Sequence, residues 1–410
     1  MADSRTFVIV GAGLGGAKAA ETLRGEGFDG RVVLVGAEQD RPYERPPLSK
    51  GVLLGKDQRD SVFVHEASWY PANDVELRTG MAVTSIDRVR HRVRLADGTE
   101  LDYDRLLLAT GAEPRPLRVP GANLDGVLRL RTLADSDRVA AAVRADTRLV
   151  VVGSGWIGLE VAAAASQQGA EVTVVTPASL PLQRVLGDRM ARVFADLHTE
   201  HGVRFRYRTH VADIRGNGRV AHVGLSDGTV LDADVVLVAV GVSPNVMLAE
   251  QAGLRVDDGV LVDHRLTTSD PDIFAVGDIA NQDHPLLHTR VRVEHWATAL
   301  NSGPAAARAM LGQDISYDLL PYFYTDQYDL GMEYTGWVAP GAGADVVIRG
   351  DLDRREFIAF WMVDGRVAAG MNVNVWDVTD PIAALIRAGL NGATVDPARL
   401  ADPTVDLTAL

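Results

Sequence analysis

The sequence predicts an α/β protein built from two Rossmann-like units and a third, α+β unit. Three observations carry this: a strand–glycine turn–helix–strand pattern that occurs twice, a hairpin and buried strand that follow each copy, and a change of texture after about Leu320. A length of 410 residues also exceeds one ordinary core.

The first copy opens with the β-branched run Phe7-Val-Ile-Val10, turns through Gly11-Ala-Gly-Leu-Gly-Gly16, continues as an alanine-rich helical stretch to Arg24, and ends in residues 31–35. The second opens with Leu149-Val-Val-Val152, turns through Gly153-Ser-Gly-Trp-Ile-Gly158, and ends in residues 171–175. Both read as the opening of a dinucleotide fold. Asp97-Gly98 then joins alternating strands at 89–95 and 101–103, and Asp227-Gly228 does the same between 220–225 and 230–232. Each hairpin leads to an apolar strand ending in glycine, at Gly111 and at Gly241. Beyond Leu320, aromatic and alternating strands (322–324, 358–362, 366–371) precede a helix near 381–387, giving the third unit.

Composition removes several chemistries. There is no cysteine, which excludes disulfides, thiolate zinc sites, protein-ligated iron–sulfur clusters and any catalytic dithiol. No metal site is expected. A net charge of −14 argues against nucleic acid or anionic membrane as a partner. Residues 1–6 are short and polar, with no apolar leader, so the cytoplasm is the expected location. Lysines occur only at 18, 50 and 56, which singles out Lys50.

The glycine spacing has a physical reason. The first glycine permits the turn, the second lets the backbone approach a pyrophosphate, and the third lets helix pack on strand. The phosphate then rests on unpaired N–H groups at the helix N-terminus. Gly11, Gly13 and Gly16, and again Gly153, Gly155 and Gly158, are therefore candidate cofactor contacts. Two sites imply two dinucleotides, most economically a flavin held permanently and a nicotinamide that exchanges. An acid is expected at the end of the second strand of each unit to hold a ribose. Glu38 serves in the first copy; the second has Thr176 and no acid, with Arg184 the nearest cation. The choice between NADH and NADPH is open on this reading. Asp278, at the end of Phe274-Ala-Val-Gly-Asp278, is placed to bind ribityl hydroxyls.

The motifs Asp40-Arg-Pro-Tyr-Glu-Arg-Pro-Pro-Leu-Ser-Lys50, Ala109-Thr-Gly111, Gly153-Ser-Gly-Trp-Ile-Gly-Leu-Glu160, Gly241-Val-Ser-Pro-Asn245, Phe274-Ala-Val-Gly-Asp278 and Glu294-His-Trp-Ala297 resemble the oxygenase-coupled, FAD-dependent NAD(P)H:ferredoxin reductases. The resemblance covers essentially the whole chain. It implies a glutathione-reductase-like plan: an FAD domain in two segments (1–115 and 243–320), an NAD domain between them (116–242) and a C-terminal α+β domain (321–410). By matching position it implies FAD contacts at Gly11, Gly13, Gly16, Arg45, Lys50, Val83, Ala109, Thr110, Gly111, Arg131, Asp278 and Trp296. It implies an NAD site at Gly153, Gly155, Gly158, Glu160, Thr176, Arg184 and Gly241. Ala37 and Thr176 stand where the family commonly carries acids.

The resemblance further implies FAD as resident cofactor and NADH as reductant, with NADPH possible. It implies a [2Fe–2S] ferredoxin as acceptor and an oxygenase behind it. Lys50 and Glu160 would meet beside the isoalloxazine as a charge-compensating, catalytic pair. A helix starting near Trp296 would point at the flavin, with His295 a packing residue, and Gly303-Pro304 is expected to interrupt it. Arg290, Arg292 and Arg308 are candidates for ferredoxin docking, with Arg349, Arg354 and Arg355 next. Alternatives of other kinds are an NADH-sensing flavoprotein of the apoptosis-inducing-factor type and a rubredoxin reductase; disulfide or peroxide reduction would need a cysteine.

Overall fold

The apolar runs at the start of each repeat become central strands of two parallel sheets. In the computed structural model, which describes residues 3–339 and 341–410, Thr6–Val10 lies between Arg31–Val35 and Arg105–Leu108, parallel to both. Val75–Arg78 and Ile273–Ala275 complete that five-stranded sheet. Arg148–Val152 lies likewise between Glu171–Val175 and Val235–Val238, with Arg204–Arg206 and Val127–Leu128 outside. Phe7, Val8 and Ile9 are fully buried, as are Val151 and Val174. That is why these runs are apolar throughout instead of alternating. The first helices, Leu14–Gly25 and Trp156–Gln167, cross over each sheet.

The hairpins are three-stranded: Val83–Asp87 with Arg92–Leu95 and Glu100–Asp102, and Val211–Asn217 with Arg219–Leu225 and Val230–Asp232. The strand expected from residue 89 begins instead at Arg92. Asp87 accepts from the N–H groups of Val89 and Arg90, which makes this stretch a turn and leaves Val89 93% exposed. Ala112–Pro114 pairs antiparallel with Val242–Pro244, a two-stranded ribbon through which the chain leaves the first sheet and returns.

The last segment forms an antiparallel sheet in the order Tyr322–Gln327, Leu330–Gly336, Arg366–Val373, Glu356–Val363, Asp345–Asp351. Helix Thr379–Leu390 covers it so closely that a Cβ on Gly370 would meet Ile382 Cγ2 at 2.5 Å.

The expected interruption at Gly303-Pro304 is absent, because helix Trp296–Met310 runs through both residues. Gly303 serves close approach: a Cβ there would lie 2.3 Å from the carbonyl oxygen of Gly15, where this helix crosses Leu14–Gly25. Pro304 removes one N–H from the ladder, and the helix continues past it to Met310.

His198, fully buried on helix Gln183–Glu200, donates through Nε2 to Gln327 Oε1 at 2.7 Å and so ties the second sheet's helix to the third sheet. Burial pushes its imidazole down to about 4. The folded state therefore binds fewer protons than the unfolded chain from roughly pH 6.5, the unfolded histidine value, down to that folded value. Stability should fall as pH falls through this window. Melting followed by circular dichroism at pH 7 and pH 4.5 should show the loss, smaller in His198→Gln; equal pH sensitivity in both proteins would assign it elsewhere.

Candidate active site

Both glycine turns divide their glycines between two tasks. Gly11 and Gly153 adopt φ of +119° and +106°, where a Cβ would lie 2.1 Å from the Ala109 carbonyl oxygen and 2.3 Å from that of Ala239. Gly16 and Gly158 pack on the carbonyls of Gly11 and Gly153, at 2.1 and 2.6 Å from a built Cβ. The chain itself requires these four. At Gly13 and Gly155 a Cβ would meet nothing within 4 Å. These two residues cap the helices Leu14–Gly25 and Trp156–Gln167, and no side chain caps either helix or places an acid in its first turn. Each turn is thus an open cradle beneath helix N–H groups that no side chain caps, which fits a pyrophosphate.

Around the first cradle the predicted residues form a continuous chain. Glu38 follows strand Arg31–Val35 and accepts from Arg45 at 2.7 Å and from the hydroxyl of Tyr43. Arg45 also donates to the Arg131 carbonyl at 2.5 Å, and Arg131 pairs with Asp278 at 2.8 Å. Tyr43 was not singled out from sequence; burial pushes its phenol up, which keeps it a donor. Ala109 lies under Gly11, and Thr110 and Asn245 exchange side chain-to-carbonyl bonds at 3.0 and 2.9 Å. A Cβ on Gly111 would lie 3.2 Å from the Arg131 guanidinium. Val83 packs against the first core.

Trp296 begins helix Trp296–Met310, edge-on to Tyr324 at 5.9 Å. Its indole Nε1 is buried with no partner among the described residues. Such an orphan costs about 1–3 kcal/mol unless an acceptor arrives, so the residue fits a bound group with an exposed carbonyl or ring nitrogen. His295 stacks on Phe323 at 4.3 Å, and burial pushes its imidazole down to about 4. It is neutral at physiological pH and packs, as expected.

Lys50 and Glu160, 110 positions apart, meet at 2.7 Å. The Pro46–Ser49 turn delivers Lys50, and helix Trp156–Gln167 delivers Glu160, which is 6% exposed. Glu160 also accepts from Ser49 at 2.5 Å and from Thr325 at 2.6 Å. This carboxylate therefore joins all three units, with two donors on Oε1 and one on Oε2. The pair lines a cavity of about 370 Å³ with Tyr324 and Asp326, whose carboxyl burial pushes up. Thr325, Tyr324 and Asp326 had no sequence signal, because they approach from a distant strand.

The second cradle differs at its edge. Thr176 is nearly fully buried, and its Oγ1 accepts from Ser154 at 2.9 Å. Arg184 is exposed on helix Gln183–Glu200. Gly241, at φ +94°, accepts from the Arg115 N–H beside the ribbon.

The expected docking arginines are engaged elsewhere. Arg292 pairs with Asp258 at 3.0 Å and with Glu294, and its side chain is 9% exposed. Arg308 pairs with Glu26 at 2.8 Å, while Arg290 donates to the carbonyls of Val262 and Asn281. Arg354 and Arg355 face Asp351 and Glu200, and Arg349 donates to carbonyls of the C-terminal segment. Sequence counted these charges without their partners. Among the described residues no helix is long and apolar enough to cross a membrane, and no cluster of three metal-ligating side chains occurs.

Residues 5–303 match the pyridine nucleotide-disulphide oxidoreductase family, and residues 322–410 match the reductase C-terminal family. The chain is 43% identical over 408 residues to the ferredoxin–NAD(+) reductase component of the anthranilate 1,2-dioxygenase system of Burkholderia cepacia, covering 98% of each. It is 41% identical over 371 residues to rhodocoxin reductase of Rhodococcus erythropolis, covering 90% of this chain and 86% of that one. Its backbone matches the reductase solved in a covalent putidaredoxin reductase–putidaredoxin complex with a TM-score of 0.93 at 36% identity, covering 99% and 98% of the two chains. With two open dinucleotide cradles and full-length relatives of this kind, the chain belongs to the pyridine nucleotide-disulphide oxidoreductase family, as an FAD- and NAD(H)-dependent oxidoreductase.

Proposed function

We propose that the chain is an NAD(P)H:ferredoxin reductase, passing electrons from a nicotinamide dinucleotide through FAD to a [2Fe–2S] ferredoxin that serves an oxygenase, either a ring-hydroxylating dioxygenase or a cytochrome P450. The observation that carries it is the pair of open cradles with the buried Lys50–Glu160 pair joining their units. The absence of cysteine separates it from the disulphide chemistry in the family's description. The cytoplasm, where such a soluble electron carrier would work, is the location this reading assigns.

In this reading the first sheet with the segments 1–115 and 243–320 is the FAD domain, 116–242 the NAD domain and 321–410 the C-terminal domain; the sheet memberships support that division. Gly13 and the N–H groups of helix Leu14–Gly25 hold the FAD pyrophosphate, and Glu38, fixed by Tyr43 and Arg45, holds its ribose. Asp278, oriented by Arg131, takes ribityl hydroxyls, and Trp296 donates its free N–H. Gly155 and helix Trp156–Gln167 hold the nicotinamide dinucleotide. Lys50 and Glu160 fix a paired charge at the reacting edge. Bound flavin supplies the step between two-electron and one-electron chemistry; the protein supplies alignment and electrostatics.

Denaturing the purified yellow protein should release FAD and no FMN, because a pyrophosphate is what the Gly13 cradle fits. Cytochrome c reduction by NADH should then require an added [2Fe–2S] ferredoxin. Release of FMN would overturn the cofactor, and a rate indifferent to every small iron–sulfur protein would overturn the acceptor.

A further inference from the structure

The two dinucleotide turns are built alike as far as the end of the second strand, and there they part. In the first, Glu38 stands at the strand end with Tyr43 and Arg45 on its carboxylate. In the second, no carboxylate replaces it. The Thr176 hydroxyl is turned inward onto Ser154 of the glycine turn. The segments bonded to this strand end carry arginine instead. Thr176 N–H donates to the Arg206 carbonyl at 2.9 Å, Arg208 N–H to the Ala178 carbonyl at 3.1 Å, and Thr209 N–H to the Thr176 carbonyl at 3.2 Å. On the other side, Leu182 N–H donates to the Ser154 carbonyl at 3.1 Å and starts the short helical turn, broken at Gly187, that bears Arg184.

Arg184, Arg206 and Arg208 are exposed, and among the described residues none makes an ion pair. Arg204, on the same strand as Arg206, shows the contrast by pairing with Glu171 at 2.9 Å. Asp227 lies within electrostatic reach of Arg206 without pairing with it, and accepts the Thr229 N–H in its own turn at 2.9 Å.

The end of this strand is where the 2′-position of the adenosine ribose lies in a dinucleotide fold, with an acid selecting the hydroxyl and a nearby arginine accommodating a 2′-phosphate. We infer that the second site takes the 2′-phosphorylated dinucleotide, NADPH, as a working substrate, with Arg184, Arg206 and Arg208 as counter-charges around a neutral Thr176. The inference rests on the reading of this turn as the nicotinamide-dinucleotide site. It turns on the contrast with Glu38: a carboxylate there repels a phosphate, and its absence beside three unpaired guanidinium groups attracts one.

Binding tests it without turnover. Calorimetric titration of the FAD-loaded protein with adenosine 2′,5′-bisphosphate and with 5′-AMP should show the bisphosphate at least about tenfold tighter, the equivalent of one charge-assisted contact, with the advantage shrinking as salt rises. The double variant R206Q/R208Q, on the surface and away from the core, should lose that advantage and keep its 5′-AMP affinity. T176E should reverse the preference, and the NADPH-to-NADH ratio of kcat/KM should follow. If 5′-AMP binds and the bisphosphate binds no better, or if R206Q/R208Q keeps the full advantage, the inference is overturned while the reductase reading stands. If neither nucleotide binds, the reading of the second turn falls with it.

Discussion

Gly13→Asp should give a folded but colourless protein, and Gly155→Asp a yellow protein that NADH no longer reduces. Neither substitution meets the chain, since a Cβ at either position has nothing within 4 Å and both residues have ordinary negative φ, −92° and −82°. Aspartate at a helix N-cap is itself favourable for the helix. The new carboxylate takes the N–H groups that the cradle offers and sets a like charge against a pyrophosphate. At about 4 Å and an effective dielectric near 20 that repulsion is about 4 kcal/mol, or about a thousandfold in affinity. The flavin absorbance per protein, the melting temperature and anaerobic bleaching by NADH read the three consequences separately. Gly13→Asp that still carries one FAD per chain would show that the first cradle is not the flavin site. Gly11→Ala would be a poor substitute, because its Cβ collides with the Ala109 carbonyl whatever is bound.

Glu160→Ala and Lys50→Ala should each slow flavin reduction by about a hundredfold, the scale of losing alignment at a reacting edge. They should also destabilise the fold by roughly 3–5 kcal/mol, the usual cost of leaving one member of a buried pair unmatched. Glu160→Ala has the larger structural effect, because Ser49 and Thr325 lose their acceptor as well. Lys50→Ala/Glu160→Ala should recover part of the stability but none of the rate, which separates charge balance from catalysis in one cycle. Stopped-flow reduction at the native rate in both single variants, each with full flavin content, would remove the pair from the mechanism.

What the sequence reveals is what local geometry determines. A glycine turn between a buried strand and a helix is complete within a few residues, so both cradles and their sheets were legible. Lys50 and Glu160 were not readable as neighbours from spacing, and only the resemblance joined them. Gly303 carries the same ambiguity in reverse. Locally it reads as a break, and only Gly15 on another helix makes it a contact. Arg292 and Arg308 looked free because their partners, Asp258 and Glu26, are far away in the chain. Strands Val83–Asp87 and Val211–Asn217 were missed because they are short of apolar alternation, and they are held by pairing with their neighbours instead.

The ribbon of Ala112–Pro114 with Val242–Pro244 has a consequence for how the molecule can be remade. Everything from 115 to 241 departs and returns through adjacent strands, about 4.8 Å apart, and no strand of the first sheet lies within that stretch. Such a segment is a cartridge. A piece of another reductase spliced at the ribbon should leave the register of that sheet alone, provided it carries residues that meet Arg45, Asp278 and Lys50 as Arg131 and Glu160 do here.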